Sequence, residues 1–157
     1  MGVNVKASFQ LAQGEMLKKL KRYAAGGTVT VGIHEDKTAR NDGLTNAEIA
    51  AKNHFGSPED HIPARPFLDV GIRKAQDKIV AFARRTVERG GGMDAALYVM
   101  GAEAVKGVRS YILEGAGVPP PNSPRTIERK GSSRTLVDTK QMVNAIAFKV
   151  HKQGGAS

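Results

Sequence analysis

The segment Ile62–Leu68, with the sequence Ile-Pro-Ala-Arg-Pro-Phe-Leu, is the feature that most constrains the fold of this chain. Pro63 and Pro66 fix two φ angles and remove two backbone donors, so the segment fits neither a helix interior nor a central strand. We therefore expect an extended, stiff strap with apolar ends that anchor it on a core. Arg65 is expected to stay available to a carboxylate or a phosphate, because its guanidinium group fits both. The alternative is an ordinary loop that contains two prolines.

Length and composition predict a single domain over residues 1–157. The chain has 157 residues, of which 40% are apolar, enough for a modest core because domains most often run to roughly 100–150 residues. It contains no cysteine, which excludes disulfides, thiolate catalysis and cysteine zinc sites. No apolar run approaches the roughly 20 residues that cross a bilayer, and the N-terminus lacks a signal-peptide hydrophobic region. We expect a soluble protein that is made in the cytoplasm.

The chain carries a net charge of +9, from 24 lysines and arginines against 15 aspartates and glutamates. A field of this size makes nucleic acid and acidic protein surfaces candidate partners. The cations, however, are dispersed over residues 18–22, 73–89 and 125–134. Sequence-specific readers concentrate basic residues on one element, and single-strand binders add stacking aromatics. The distribution therefore favours ordinary solvated helix faces over a dedicated DNA reader.

Apolar residues at helical spacing predict four helices, over residues 8–24, 46–54, 70–89 and 93–114. Thr45 and Glu48 match a capping box at the start of the second helix, and Asp69 is predicted to cap the third. Gly101 marks a weak or close-packed point in the fourth helix. The third and fourth helices are expected to pack antiparallel, with basic residues on the outward face of the third.

Two segments alternate between apolar and polar residues as half-buried strands do, residues 28–34 and 145–151. The two strands are predicted to pair with each other. The predicted fold class is therefore α+β, with a small antiparallel sheet packed against two or three longer helices and joined by long extended loops.

Two loops are predicted to be exposed arms. Residues 35–44 contain no periodic apolar set, and residues 115–135 contain Pro119, Pro120 and Pro121, which favour an extended polyproline path. Long loops in small domains are usually functional or disordered.

The C-terminal part of the chain is expected to begin with a short turn of helix, introduced by Leu136, Asp138 and Thr139 and running through Met142. The closing strand follows this turn. Residues 152–157 have the composition of a flexible tail.

Residues that carry chemistry in enzymes form no recognisable set. The four histidines lack the short helical spacing of a zinc protease, and the glycine clusters lack the lysine and hydroxyl residues of a P-loop. Loop carboxylates could hold a divalent cation in a nuclease, but they lack a spaced acidic and lysine set with neighbouring strands, so solvated carboxylates are favoured: Asp36, Asp42, Glu59 and Asp60. We predict no enzymatic activity, no metal site and no cofactor.

The order of elements and motifs resembles a known family. The strap motif precedes the paired helices, and Pro-Asn-Ser-Pro-Arg-Thr at residues 121–126 and Leu-Val-Asp-Thr at residues 136–139 complete the pattern. Over residues 28–150 this order resembles the neck and tail-completion family of tailed bacteriophages. Its members are small, non-enzymatic virion proteins with an α/β fold that assemble as rings where the tail tube joins the head connector. One departure is Lys140, where the family pattern has glycine.

The resemblance implies a homo-oligomeric ring in the virion, with a hexamer favoured and a dodecamer left open, at the head-proximal end of the tail. It implies partners among the connector, stopper, tail terminator and tail tube proteins. DNA would pass nearby without sequence-specific binding, and no membrane would be involved. Completion, terminator and stopper roles in head–tail joining all fit the resemblance.

A ring subunit needs two different surfaces that fit head to tail. We expect the two loop arms to reach onto neighbouring proteins and to become ordered there. The strap is expected to form a rigid contact at a subunit boundary, and the basic third helix offers charges to an acidic neighbour. The predicted interface residues are Phe55, Pro63, Arg65, Pro66, Phe67, Pro119, Pro120, Pro121, Arg125, Arg129 and Lys130.

The main alternative is a basic nucleic-acid-binding protein, because the isoelectric point is near 10.0. This alternative predicts binding that weakens steeply as salt is added. A small phage enzyme, such as a nuclease or a wall hydrolase, is a third possibility that no acid, base or nucleophile set supports.

Overall fold

The computed structural model describes residues 2–5, 27–34, 43–114, 117–131, 133, 135–136 and 140–152. The elements within these residues follow in the order β1 (Gly2–Val5), β2 (Gly27–Gly32), α1 (Asn46–Phe55), α2 (Phe67–Glu88), α3 (Met93–Leu113), α4 (Pro124–Lys130), α5 (Gln141–Ala145) and β3 (Ala147–Lys152). The expected α+β class, with a small antiparallel sheet and longer helices, is confirmed. The predicted helix 8–24, residues 35–42 of the first loop arm and residues 153–157 of the tail lie outside the described residues. Lys152, which was predicted to begin the flexible tail, is instead the last residue of β3 and pairs with Gly27.

The sheet is antiparallel, with β2 between β1 and β3. The predicted pairing of β2 with β3 is confirmed: Val29 lies opposite Val150, and Val31 lies opposite Phe148. Val29 and Val31 are buried, as their alternation with threonine predicts. β1 is not among the predicted strands, because its four residues are too few for an alternating pattern to be recognised.

Helices α2 and α3 form a hairpin, and α3 also covers one face of the sheet. The helices are joined only by residues 89–92, so they run antiparallel as predicted. The close-packed point predicted at Gly101 is confirmed, because a Cβ atom there would overlap the ring of Phe148 on β3. A glycine in α3 thus lets the sheet lie directly on the helix.

Helix α1 begins with the predicted capping box. The hydroxyl oxygen of Thr45 accepts a hydrogen bond from the backbone N–H of Glu48 at 3.2 Å, and the Glu48 carboxylate accepts one from the Thr45 backbone N–H at 2.8 Å. The second of these bonds lowers the pKa of the Glu48 carboxyl. Two backbone donors at the helix start are satisfied in this way.

Helix α2 begins at Phe67, three residues before the predicted start, with Pro66 at its N-cap. Phe67 and Leu68 therefore belong to the first helical turn, and the prediction that Asp69 is the N-cap is wrong. A proline is tolerated at a helix start because the first backbone N–H groups have no intrahelical acceptor. The extended part of the predicted strap is limited to residues 62–66, and "the strap" refers to these residues below.

The described residues between 117 and 136, which we call the proline loop, do not form the extended arm that was predicted over residues 115–135. Residues 115, 116, 132 and 134 lie outside the described residues. Val118 is buried, and Thr135 Oγ1 donates a hydrogen bond to the Val118 carbonyl at 2.7 Å, so the two ends of the loop meet on the core. Between them lies α4, which Ser123 caps and Gly131 ends in the left-handed conformation. A serine followed by proline, and a glycine seven residues later, are helix start and stop signals that the polyproline interpretation overlooked.

Helix α5 spans Gln141–Ala145, so the predicted turn of helix starts later and extends further than expected. Asp138 and Thr139 lie outside the described residues. Lys140, the N-cap, has φ 59° and ψ −4°, which is the left-handed region. Glycine, which the resemblance described above leads us to expect at this position, adopts this backbone conformation without steric cost.

We expect Lys140→Gly to raise the free energy of unfolding by about 1 kcal/mol, because the left-handed conformation costs a side-chain-bearing residue roughly that amount. Gly131→Ala is the converse variant. Gly131 has φ 64° and open space around it, so only backbone strain opposes the change, and a loss of about 1 kcal/mol is expected. Urea unfolding measures both values. If Lys140→Gly and Gly131→Ala both raised or both lowered the free energy of unfolding, the left-handed backbone would not be the cause.

Candidate functional site

Arg65 joins the strap to the proline loop. Its side chain is only 5% exposed. Nε donates a hydrogen bond to the carbonyl of Pro120 at 2.9 Å, and Nη2 lies 3.4 Å from both the Pro121 carbonyl and Asn122 Oδ1. A planar guanidinium holds neighbouring acceptors in this way because its donors point in fixed, different directions. We call this arrangement the Arg65 latch.

The latch corrects the expectation that Arg65 is available to a carboxylate or a phosphate. Its Nε and Nη2 groups donate to the proline loop, and burial lowers the pKa of the guanidinium. Arginine remains charged at every pH at which a protein stays folded, so a positive charge is retained inside the molecule. Arg65 therefore acts mainly by holding the surface around it in place, because only 5% of the residue is exposed.

The strap is held against α1 by backbone hydrogen bonds. The backbone N–H of Arg65 donates to the Asn53 carbonyl at 2.8 Å, and Ser57 and Ile62 exchange two hydrogen bonds of 2.8 and 2.9 Å. The stiffness predicted from two prolines thus has a second source, because the chain on either side of Pro63 is tied to the end of α1.

Asp60 braces the turn between α1 and the strap. Its carboxylate accepts hydrogen bonds from Lys52 Nζ and Ser57 Oγ, each at 2.7 Å. The bond from Lys52 and then the bond from Ser57 lower the pKa of Asp60 below its ordinary value of 3.8. The same contact raises the pKa of Lys52 above 10.5.

We expect Asp60→Asn to remove a pH-dependent part of the stability. A carboxyl group whose pKa is lower in the folded chain stabilises the fold above its unfolded pKa, and this contribution disappears as the pH falls through the folded value. The melting temperature of the wild type should therefore exceed that of the variant at neutral pH by a small amount, because the pair is exposed. Melting curves should converge in acid below pH 3.8. A difference that is unchanged in that acid range would contradict the bracing role.

Phe55 and Phe67, both predicted at an interface, lie in opposite environments. Phe67 is 0% exposed and Phe55 is 69% exposed. Buried His54 lies edge-on to both rings, with centroid distances of 4.7 Å to Phe55 and 5.4 Å to Phe67, and its Nε2 lies 3.4 Å from Asp69 Oδ2. Phe67 is thus a core residue, which corrects the interface prediction, and Phe55 is the member of the pair that a partner can reach.

A cleft of about 980 Å³ lies between the strap and α4, with the Arg65 latch holding its two walls together. Six lysines and arginines line the cleft against two carboxylates, Asp60 and Glu128. The cations are Lys52, Arg65, Arg125, Arg129, Lys130 and Lys140. The apolar lining comes from separate segments of the chain and consists of Leu44, Ile49, Ile62, Leu136 and Met142.

Six of the predicted interface residues line this cleft: Pro63, Arg65, Pro121, Arg125, Arg129 and Lys130. Pro66, Pro119 and Pro120 are exposed but lie outside the lining. Sequence analysis missed Lys52 and Lys140, because residues on α1 and before α5 reach the cleft only through the tertiary fold. Lys140 drew attention in the sequence only because the resemblance led us to expect glycine there.

The outward face of α2 carries a second concentration of cations. As predicted, these residues are exposed: Arg73, Lys74, Lys78, Arg84, Arg85 and Arg89. Lys74 Nζ lies 4.8 Å from the ring centroid of Tyr111, and the Arg85 guanidinium carbon lies 5.7 Å from that of Phe82. These side chains partly cover aromatic surface and keep their charges in water.

Other titratable groups form no second site in the described part of the chain. Burial and the charge of Lys149 lower the pKa of His34. Among the described residues, no group of three histidines, aspartates and glutamates is placed to hold a metal ion. None of the described helices combines the length and apolarity of a membrane span.

Comparisons with protein families, with curated proteins and with solved structures find no match for this chain. The latch, the cleft and the exposed Phe55 are therefore the features from which a function is inferred.

Proposed function

We propose that this protein is a structural subunit of a tailed-phage virion, which forms a ring, with a hexamer favoured, at the head-proximal end of the tail and takes part in head–tail joining. The Arg65 latch is the observation that carries the proposal. The buried guanidinium group of Arg65 fixes the proline loop against the strap. The cation-lined cleft and the exposed side chain of Phe55 are therefore binding surfaces that exist before a partner binds.

Preformed surfaces suit a ring subunit. A ring requires two different patches on each subunit that fit head to tail, and patches that are already ordered lose less conformational entropy when they bind. Phe55 supplies an apolar anchor of the kind that dominates interface energies. The cleft supplies a separate, charged surface for a neighbouring component of the particle.

The latch also supports the resemblance to the neck and tail-completion family. Arg65 belongs to the motif Ile-Pro-Ala-Arg-Pro-Phe-Leu, and its acceptors Pro121 and Asn122 belong to the motif Pro-Asn-Ser-Pro-Arg-Thr. The two motifs that carry the resemblance are thus in direct contact. The left-handed backbone of Lys140, where the family has glycine, gives the third element of the pattern a physical reason.

The proposal is tested by the mass of the purified protein, alone and mixed with phage tails. We expect a ring in one of these samples, and Phe55→Ser is expected to abolish it without unfolding the subunit, because Phe55 is 69% exposed. Tyr98→Ser is the matched control, since Tyr98 is 62% exposed and lies on α3. A protein that remains monomeric in both samples, or a ring that depends on Tyr98 and not on Phe55, would contradict the proposal.

The exposed basic face of α2 favours nucleic-acid binding as the second candidate function. Five exposed cations on α2 and Arg89 at its C-cap could neutralise phosphates, and such binding weakens steeply with salt. A gel-shift titration over a range of salt concentrations separates the candidates. Saturable, salt-sensitive binding that is lost in Lys78→Glu/Arg84→Glu would favour the second candidate, whereas a structural subunit should show no specific complex.

A further inference from the structure

We propose that the cleft between the strap and α4 binds an extended acidic segment of a partner protein, which inserts aliphatic side chains between the two walls. This inference rests on the proposed function and specifies the chemistry of one contact made by the subunit. The partner is defined by two properties, carboxylates and aliphatic anchors, and each follows from a different part of the lining.

The charges of the lining favour an anionic ligand, because six lysines and arginines face two carboxylates. Lys52 forms an ion pair with Asp60, and Arg65 donates hydrogen bonds to the proline loop. Arg125 and Arg129, on α4, are exposed and form no ion pair with any described residue. Guanidinium groups bind carboxylates in a bidentate fashion, so an acidic segment that lies along α4 would find two cations one helical turn apart.

The apolar residues of the lining indicate that the ligand also carries apolar side chains. Leu44, Ile49, Ile62 and Leu136 are only half-buried and come together in the same cleft as the cations. Covering such surface is favourable by about 25 cal/mol per Å². A plain polyanion would leave it in water. An acidic peptide with leucine, isoleucine or valine side chains satisfies the cations and the apolar surface together.

The same lining disfavours nucleic acid as the occupant. Single strands are held by aromatic side chains on which bases stack. No phenylalanine or tyrosine lines the cleft within the described ranges, and the whole chain has no tryptophan. A volume of 980 Å³ matches the roughly 300–1,000 Å³ of sites that enclose a few side chains or a small ligand.

The latch gives the cleft a fixed width. Arg65 ties the carbonyls of Pro120 and Pro121 to the strap, and the Thr135–Val118 hydrogen bond closes the base of the proline loop. Because both walls are held in the free protein, a peptide can bind without first ordering its receptor, and this lowers the entropic cost of association.

The experiment uses the full chain and fluorescence anisotropy with three labelled probes. The first is a peptide of alternating acidic residues and leucines, the second is the same peptide with serine in place of leucine, and the third is an oligothymidylate of the same net charge. The cleft variant is Arg125→Glu/Arg129→Glu. The matched control is Lys78→Glu/Arg84→Glu, which makes the same change of charge on the exposed face of α2.

We expect the leucine peptide to bind at least about tenfold more tightly than the serine peptide, since tenfold corresponds to only 1.4 kcal/mol and one buried leucine contributes more than this. The cleft variant should weaken that binding by about tenfold or more, and the control should preserve it within about threefold. Added salt should weaken the binding of both peptides, because it screens the attraction between their carboxylates and the arginines of the cleft.

Four results would overturn the inference. Three concern the probes: no binding of the leucine peptide, equal binding of the two peptides, or tighter binding of the oligothymidylate with the same dependence on Arg125 and Arg129. The fourth is an equal loss of peptide affinity in the cleft variant and in the α2 control, because attraction would then depend on net charge alone. The mass of the protein, alone and mixed with phage tails, tests the ring separately. A wild type that forms rings but does not bind the peptide would contradict only this inference, and a protein that binds the peptide but stays monomeric in both samples would contradict only the proposed function.

Discussion

Replacing Phe67 with alanine is expected to lower the free energy of unfolding by about 3–5 kcal/mol, the range for a large aromatic truncated in a core. Phe67 is the first residue of α2, is 0% exposed, and lies edge-on to buried His54. Its removal would leave a cavity at the junction of α1 and α2. Urea unfolding followed by circular dichroism measures the change.

Phe55→Ala is the matched control for this experiment. Phe55 is also an aromatic neighbour of His54, but it is 69% exposed, and surface substitutions usually change stability by no more than about 0.5 kcal/mol. The same substitution at two phenylalanines should therefore give very different results. Equal losses of unfolding free energy in the two variants would mean that Phe55 is part of the core. A Phe67→Ala variant as stable as the wild type would contradict the buried position of Phe67.

Replacing Arg65 with alanine is expected to lower the free energy of unfolding by about 2–3 kcal/mol, because a hydrogen bond made by a charged group contributes roughly 1.5–3 kcal/mol and the Arg65 side chain that donates it is nearly buried. The greater effect should be local. Without the latch the proline loop loses its attachment to the strap, so trypsin should cleave after Arg125 and Arg129 faster than it does in the wild type.

Two further variants make the Arg65 test specific. Arg65→Lys should recover little of the loss, because a lysine ammonium cannot reproduce the fixed directions of the guanidinium donors. Arg73→Ala removes an exposed arginine of α2 and should leave both stability and cleavage unchanged. Slow trypsin cleavage in Arg65→Ala, equal to that of the wild type, would contradict the latch.

Features that depend on local sequence could be predicted. The strands β2 and β3 follow from alternation, and the start of α1 follows from the Thr45–Glu48 capping box, because in both cases neighbouring residues decide the local structure. The pairing of β2 with β3 was predicted because these were the two strands that the sequence indicated. The helical hairpin follows from two long apolar stripes separated by a short glycine-rich segment.

Two local signals were outweighed by the prolines around them. Phe67 and Leu68 continue the apolar stripe of α2 but were assigned to the strap, because they follow Pro66 directly. In the proline loop, the Ser123–Pro124 start and the Gly131 stop of α4 were outweighed by the three prolines before them. In both cases proline marks the start of a helix and not an extended path.

The candidate site could be predicted only in part. Arg65 was singled out, but its acceptors lie 55 to 57 positions further along the chain, and no local pattern specifies such a contact. The cleft likewise collects residues from α1, the strap, α4 and the turn at Lys140. The hydrogen bonds and burial that unite them arise only when the chain has folded.

The most direct test of the proposed function is peptide mass spectrometry of tailed-phage virions purified from a lysate in which this chain is produced. A structural subunit of the neck should be present in finished particles at the low copy number of a single ring, and it should remain bound after washing in high salt. Absence of the protein from finished virions, with abundant protein left in the lysate, would contradict the claim that it functions as a building block of the particle.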